Sequence, residues 1–333
     1  MTKIHTLPDL FAHIDVFLFF VSMYDVNDFR ILSTLGSGHR RKVNAVYLVE
    51  HANLQVQGVL KHLRKTQKNA HLIPLMRQEA AFSFDQPGLP QTIAWEENET
   101  EIRLVRSYQP GIPLDAYWKT LSNKQRFPFV LDLLYKLVPL FQTLDSQQIV
   151  HADIKPGNIL VAATSTGTEI HLIDFGMAFQ KQGIPERSTL FSLGYAAPEI
   201  ILNRLHIADQ SSDLFALGIV IWQLFNGKLP LTHANPAVMT NLQLTYPLPM
   251  TSEIPKSLRP VLEKMCAKHR FMLPPNRMEI QTVDHCLQQA VQQRYRNMVE
   301  LQAALLNLSP LPNWKQRLVN ILFKSKVEGK DQR

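Results

Sequence analysis

The run His151-Ala152-Asp153-Ile154-Lys155-Pro156-Gly157-Asn158 places a carboxylate, an ammonium two residues later and an amide five residues later in one short loop. A second acid, Asp174, stands within Asp174-Phe175-Gly176. A carboxylate that accepts a proton, a cation for a migrating negative group, and an amide and an acid for a metal make up the set that phosphoryl transfer requires.

Groups of this kind need elements to hold them. Short β-type runs over Phe29–Leu35, Ala45–Glu50 and Val56–Leu63 predict three consecutive antiparallel strands, with Gly36-Ser37-Gly38 between the first two. A glycine pair lets backbone amides approach a phosphate with no Cβ in the way, although Gly-x-Gly alone is usually an ordinary turn. Lys61 ends an apolar run on the third strand, where an isolated lysine would be a solvated edge. Glu79 lies in a predicted helix over Leu75–Phe84, far enough along the chain to fold back onto Lys61. Strands over Gln91–Trp95 and Glu101–Tyr108 complete a five-stranded sheet, and Pro110-Gly111 begins the passage to a second region.

Beyond that break the pattern turns helical. Phe127, Val130, Leu131, Leu134, Leu137, Val138, Phe141 and Leu144 recur at helix spacing, with Pro139 expected to kink the helix or end its regular part. Short strands follow the loop at Ile159–Val161 and Ile170–Ile173. The almost wholly apolar Leu214–Phe225 predicts a buried central helix.

With 333 residues the chain suits two lobes, since single cores stop growing near ~250–300 residues. It is 45% hydrophobic and 19% charged, a globular composition. The 35 basic and 28 acidic residues give a net charge of +7, which suits an anionic ligand but is also the ordinary charge of a soluble basic protein. No basic run is interleaved with aromatics, so nucleic-acid binding is not expected. Cys266 and Cys286 are too few for a disulfide framework, and a reducing, cytoplasmic setting follows. The apolar run from Ile14 to Met23 is about half of the ~20 residues a membrane span needs. It lacks a cleavage site, and the expectation is an element packed on the first lobe. The basic amphipathic tail Trp314–Lys326 is expected to dock on its own domain rather than on a membrane surface.

Taken together, these motifs resemble the eukaryotic-like serine/threonine protein kinase family over about residues 29–306. Gly36-Ser37-Gly38 is similar to its glycine-rich loop, Lys61 to its third-strand lysine and Glu79 to the helix-C partner. His151–Asn158 resembles the catalytic loop, Asp174-Phe175-Gly176 the metal motif and Ala197-Pro198-Glu199 the end of the activation segment. Asp213 and Gly218 sit where the family's central helix carries the same residues.

The fold this implies is α+β and bilobal: a five-stranded antiparallel sheet plus helix C over 29–108, and a mainly helical lobe over 109–306 with an insertion at about 271–284. An N-terminal extension over 1–28 and a basic tail over 307–333 flank them. The resemblance makes Asp153 and Lys155 catalytic and Asn158 and Asp174 the Mg²⁺ ligands. It places ATP contacts at Gly36, Ser37, Gly38, Val43, Val59, Lys61, Ser107 and Tyr108, with Glu79 holding Lys61. Lys155 and Ser192 match the Ser/Thr branch, so the expected partner is a protein offering a Ser or Thr hydroxyl, the chain itself included. Glu199 is expected to pair with a late arginine, Arg294, and Asp213 to brace the catalytic loop.

The chain departs from the family at several positions. Arg41 replaces the third glycine of the phosphate loop, among His39, Arg40 and Lys42, and Val59 replaces an alanine, which narrows the adenine pocket. Arg106 stands at the usually uncharged gatekeeper, and Phe215 replaces a tryptophan. Ala152 replaces the arginine that normally ties the loop to a phosphorylated activation segment, so activity is expected without that phosphorylation; Ser188, Thr189 and Ser192 remain candidate autophosphorylation sites. Two other readings are a small-molecule phosphotransferase, whose loops share His-x-Asp-x-x-Pro-Gly-Asn, and a nucleotide-binding pseudokinase scaffold, prompted by Arg41, Val59 and Arg106.

Overall fold

The computed structural model describes residues 23–35, 44–165, 167–181 and 190–306. The turn carrying Gly36, Ser37, Gly38, His39, Arg40, Arg41, Lys42 and Val43 lies outside the described residues, as do Ser188, Thr189 and the tail with Trp314–Lys326. The expected N-terminal element is described only from Met23 onward.

The short β-type runs form five antiparallel strands: β1 (Phe29–Leu35), β2 (Asn44–His51), β3 (Gln57–Arg64), β4 (Thr92–Glu97) and β5 (Glu101–Ser107), in the order β1-β2-β3-β5-β4. Register decides which face each side chain takes, because alternate residues point to opposite sides. Pairing Leu63 with Ile102 and Lys61 with Leu104 groups Leu63, Ile102 and Leu104 on one face. There they pack with Met76 and Ala80 of α1 (Ile73–Ala81). Leu60, Val105, Val49 and Ile93 form the opposite cluster, covered by Val26 and Phe29. Tyr24 packs against that cluster, and its amide donates to Ile93 O at 3.2 Å.

Helix α1 differs from the expected Leu75–Phe84 at both ends. It starts one residue before Pro74, which suits a first turn that needs no amide donor there, and stops at Ala81 because Phe82 is extended. Phe82 and Phe84 are buried instead in the passage to β4, so their apolar character marked core rather than helix.

The chain's contacts divide it into two units. One holds the described residues up to Tyr117 together with Gln147–Phe191. The expected boundary at 108/109 thus differs from the grouping by contacts, for a local reason. The two-residue strand β6 (Ile112–Pro113) pairs with β8 (Ile159–Thr164), which forms a hairpin with β9 (Gly167–Leu172). Gly111 permits this: its φ is +120°, and a Cβ there would lie 2.7 Å from the Val161 carbonyl. Leu172 N also donates to Gly88 O at 2.9 Å, and Gln109 Oε1 lies 2.8 Å from His171 Nδ1. A second short pair, β7 (Ile149–Val150) with β10 (Phe179–Gln180), brackets the catalytic loop. The division falls within α2 (Leu114–Thr120).

The other unit is helical: α3 (Asn123–Ser146), α4 (Pro198–Ile201), α5 (Gln210–Asn226), α6 (Pro236–Thr245), α7 (Arg259–Met265), α8 (Ile280–Gln293) and α9 (Met298–Leu305). Helix α3 continues past Pro139 and does not end there. That proline is on the exposed side, where a carbonyl that loses its amide partner can turn to water. Helix α5 begins at a capping box of Asp209 and Ser212 and ends at Gly227 in the left-handed conformation. The expected insertion at 271–284 resolves into a short 3₁₀ turn, Pro275–Arg277, and the first turn of α8, which delivers Arg294.

Candidate active site

Strand β7 leads into the loop, whose first residue, His151, is fully buried. Its Nε2 lies 3.2 Å from Ile173 O, and its Nδ1 accepts from Asp153 N at 3.3 Å. This pairing needs a neutral ring protonated at Nε2. Burial also lowers the imidazole pKa, against the pull of Asp153 and Asp174. The ring lies 4.6 Å from that of Phe175, which is 4.8 Å from Phe84. Phe175 therefore packs inward and fixes the segment that carries Asp174. Ala152 follows with φ +60°, a left-handed conformation costing of order 1 kcal/mol for a residue with a Cβ.

Asp153 is 3% exposed and well partnered. Lys155 Nζ donates to its Oδ2 at 2.6 Å, and Asn158 Nδ2 donates to the same oxygen at 2.8 Å and to Asp153 O at 2.9 Å. Ile173 N donates to Asn158 O at 3.0 Å, continuing the β8–β9 register in which Ile159 faces Leu172. The hairpin thereby brings Asn158 beside the segment ending in Asp174, also left-handed at φ +68°.

Lys61, on β3, completes a chain of charges. Its Nζ donates to Glu79 Oε1 and Oε2 at 2.6 and 2.7 Å and to Asp174 Oδ1 at 2.8 Å. Burial by itself would lower the ammonium pKa, but Asp174 and Glu79 outweigh it and raise it. The Lys61 charge in turn holds the Asp174 carboxyl down to about 2. A cation fixed between two carboxylates, beside a buried acid already bonded to a second lysine, can bind a polyphosphate and take a hydroxyl proton at neighbouring points.

The protein kinase domain family matches residues 29–300. The chain belongs to the eukaryotic-like serine/threonine protein kinase family. It is 28% identical to the serine/threonine-protein kinase PrkC of Bacillus subtilis (strain 168) over 253 residues, which is 73% of this chain and 38% of that protein. It is equally 28% identical to Aurora kinase A-B of Xenopus laevis over 257 residues, 74% of this chain and 60% of that one. Serine/threonine-protein kinase C of Synechocystis sp. (strain ATCC 27184 / PCC 6803 / Kazusa) is 29% identical over 226 residues, 61% of this chain and 40% of that protein. The chain thus spans between about two fifths and three fifths of the length of these relatives. The five-stranded sheet with α1 and the separate helical unit are the elements of the protein kinase fold.

In this kinase the contact residues expected on β3 and after β5 have definite neighbours. Val59 shares a face of β3 with Lys61 and pairs in register with Arg106. Ser107 Oγ accepts from Gln91 N at 2.9 Å, and Tyr108 N donates to Gln57 O at 3.2 Å while its side chain is exposed. Gly36, Ser37, Gly38 and Val43 lie outside the described residues.

Asn158 and Asp174 fit a magnesium ion. Asn158 spends its amide nitrogen on Asp153, which leaves the amide oxygen to offer a cation, and Asp174 is ionised with 43% of its side chain exposed. Hard oxygen donors in this small number suit Mg²⁺, which takes its remaining ligands from water and phosphate. Among the described residues no group of three or more His, Cys, Asp or Glu side chains is placed to hold a metal.

The helical unit holds the expected Glu199–Arg294 pair: two bonds of 2.5 and 3.1 Å with both side chains fully buried. Sequence reasoning missed its other partners. Ser212 Oγ donates to Glu199 Oε1 at 2.6 Å, Arg294 Nε donates to Ala267 O at 2.8 Å, and the guanidinium sits 4.8 Å from the Phe215 ring. Burial would raise the Glu199 pKa, but Arg294 overrides it and lowers it. Ser192 and Asp213 belong to this unit, Asp213 buried in α5. Arg106, at the usually uncharged gatekeeper position, is buried to 3% exposure. Burial lowers its pKa to about 10, against the pull of Glu79 and Asp174.

Proposed function

We propose that the chain is an ATP- and Mg²⁺-dependent kinase that transfers the γ-phosphoryl group to Ser or Thr hydroxyls of proteins, itself included. The observation that carries this reading is the continuous charge chain from Glu79 through Lys61 to Asp174, in the same unit as Asp153, Lys155 and Asn158. In this reading Lys61, steadied by Glu79, holds the α- and β-phosphates. Asp153 orients the acceptor hydroxyl and takes its proton, and Lys155 stays beside the transferring group as charge shifts. Asn158 and Asp174 would hold Mg²⁺, which supplies neutralisation of phosphate charge when bound.

The reading extends to regulation. Ala152 brings no cation to the position before Asp153, and the loop is tied within its own unit by His151, Asn158 and Lys155. Activity is therefore expected without phosphorylation of the activation segment. The two cysteines are free and buried, which suits a reducing cytoplasmic setting.

Radiolabel transfer from ATP to the chain or to a generic basic protein tests the proposal. Asp153→Asn is expected to lower transfer by about 10² to 10⁴-fold. Equal transfer by wild type and variant would overturn it, and labelling of a small alcohol with no labelled protein would move the substrate class. Phosphatase treatment, or Ser188→Ala with Thr189→Ala, is expected to leave the rate within about twofold; a larger loss would remove the regulatory part alone.

A further inference from the structure

Arg106 is a buried cation next to the last residue of β5, paired in register with Val59 of β3 and Thr92 of β4. A guanidinium stripped of water must spend its donors well or destabilise the fold. This one directs Nη1 chiefly at one end of one helix and Nη2 at the passage before β4, while Nε has no partner among the described residues. Nη1 donates to Glu79 O at 3.1 Å, to Phe82 O at 2.5 Å and to Thr92 Oγ1, while Nη2 donates to Pro90 O at 3.1 Å. Glu79 and Phe82 are the last turn and the C-cap of α1, where the helix end attracts positive charge, and Glu79 O also accepts from Phe82 N at 3.2 Å. A second set of bonds serves the same junction: Thr92 Oγ1 donates to Ala80 O at 2.7 Å, and Thr92 N donates to Ser83 Oγ at 3.0 Å.

Glu79 therefore makes two connections. Its carbonyl is held by Arg106, and its carboxylate holds Lys61. Helix α1 has nine residues and no side-chain cap at its N-terminus, so it is marginal on its own and depends on what it packs against.

We propose that Arg106 is a positioning residue that clamps the C-terminal turn of α1 to the sheet and so keeps the Glu79 carboxylate on Lys61 without help from nucleotide or a partner. It acts through α1 and touches neither substrate nor Lys61. Its importance for phosphoryl transfer rests on the function proposed above; the clamp itself does not.

The test reads Lys61 directly. An amine engaged by two carboxylates is withheld from acylation, so the rate at which sulfo-N-hydroxysuccinimide acetate labels Lys61, followed by mass spectrometry, reports whether Glu79 is in place. Glu79→Gln sets the scale for a lost pair, and Lys264, bonded to Glu300 in the helical unit, is the internal control. Arg106→Met keeps most of the apolar stem and removes the donors. It is expected to raise Lys61 labelling about tenfold, close to Glu79→Gln, with Lys264 unchanged. The double variant is expected to go no further than Glu79→Gln alone, because both changes break one connection. Arg106→Lys, which keeps charge and some donors, is expected to fall between and is read in the same way if Arg106→Met does not fold.

Unchanged Lys61 labelling in a folded Arg106 variant, or strictly additive effects in the double variant, would overturn the clamp. Phosphoryl transfer measured on the same samples separates the two claims. A chain that transfers nothing but whose Lys61 responds to Arg106 keeps the clamp and loses the kinase reading; an active chain whose Lys61 ignores Arg106 does the reverse.

Discussion

Two clusters of buried charge, one in each unit, are built from the same residue types to different ends. Glu199 and Arg294 are sealed at 0% exposure, and the partners named for the pair are Ser212 Oγ, Ala267 O and the Phe215 ring. Glu79 is nearly as deep, but Lys61 has 24% of its side chain exposed and their chain ends at Asp174, with 43% exposed and its backbone left-handed. The difference lies in what remains free to react. A sealed pair contributes to holding its surroundings in one arrangement, while a chain with an exposed end can take up a ligand. Deep burial of charge is thus a poor guide to function until its open end is found.

The comparison breaks most visibly if one partner is removed from each cluster. Arg294→Leu leaves Glu199 charged and unpaired, with an expected loss of about 3–5 kcal/mol in urea unfolding. Asp174→Asn is expected to cost less than about 1 kcal/mol, because that end of the chain is exposed and asparagine accepts left-handed backbone, while phosphoryl transfer is lost. Equal losses of stability would mean that the two clusters are both structural. A smaller change sharpens the sealed side. Ser212→Ala removes the hydrogen bond to Glu199 and the capping bond from Asp209 N, and is expected to cost about 2 kcal/mol by the same measurement, with transfer per folded molecule unchanged.

The smallest effect is one of pH. The Asp174 carboxyl is held from its ordinary 3.8 down to about 2. A depressed acid contributes stability that is present above its unfolded pKa and lost as pH falls through the folded one. Acid unfolding is therefore expected to show a component between about pH 4 and pH 2 that Asp174→Asn removes. An identical acid limb in the variant would count against the Lys61–Asp174 bond.

Much of this was legible in the residues because local chemistry writes itself into local spacing. The β1, β2 and β3 runs are short β-type stretches bounded by turn residues, and the strands fall within a residue or so of the expected ends. The pairing of Glu199 with Arg294 followed from a motif, and it holds. Where the sequence misled, a neighbour elsewhere in the chain had won. Phe82 and Phe84 looked like the end of a helix and are instead core beside Phe175.

Gly111 shows the limit from the other side, since its need for a positive φ comes from Val161, far along the chain. Arg106 is the plainest case. Its charge could be read and judged out of place, but its partners are carbonyls of Glu79, Phe82 and Pro90, and a backbone carbonyl carries no mark in a sequence. The sequence by itself determined which groups are available for phosphoryl transfer and the order in which they come. Only the tertiary structure decided which were bonded to which, because hydrogen bonds and burial depend on distance in space, and it turned an unexplained arginine into the cap of the helix that holds Glu79.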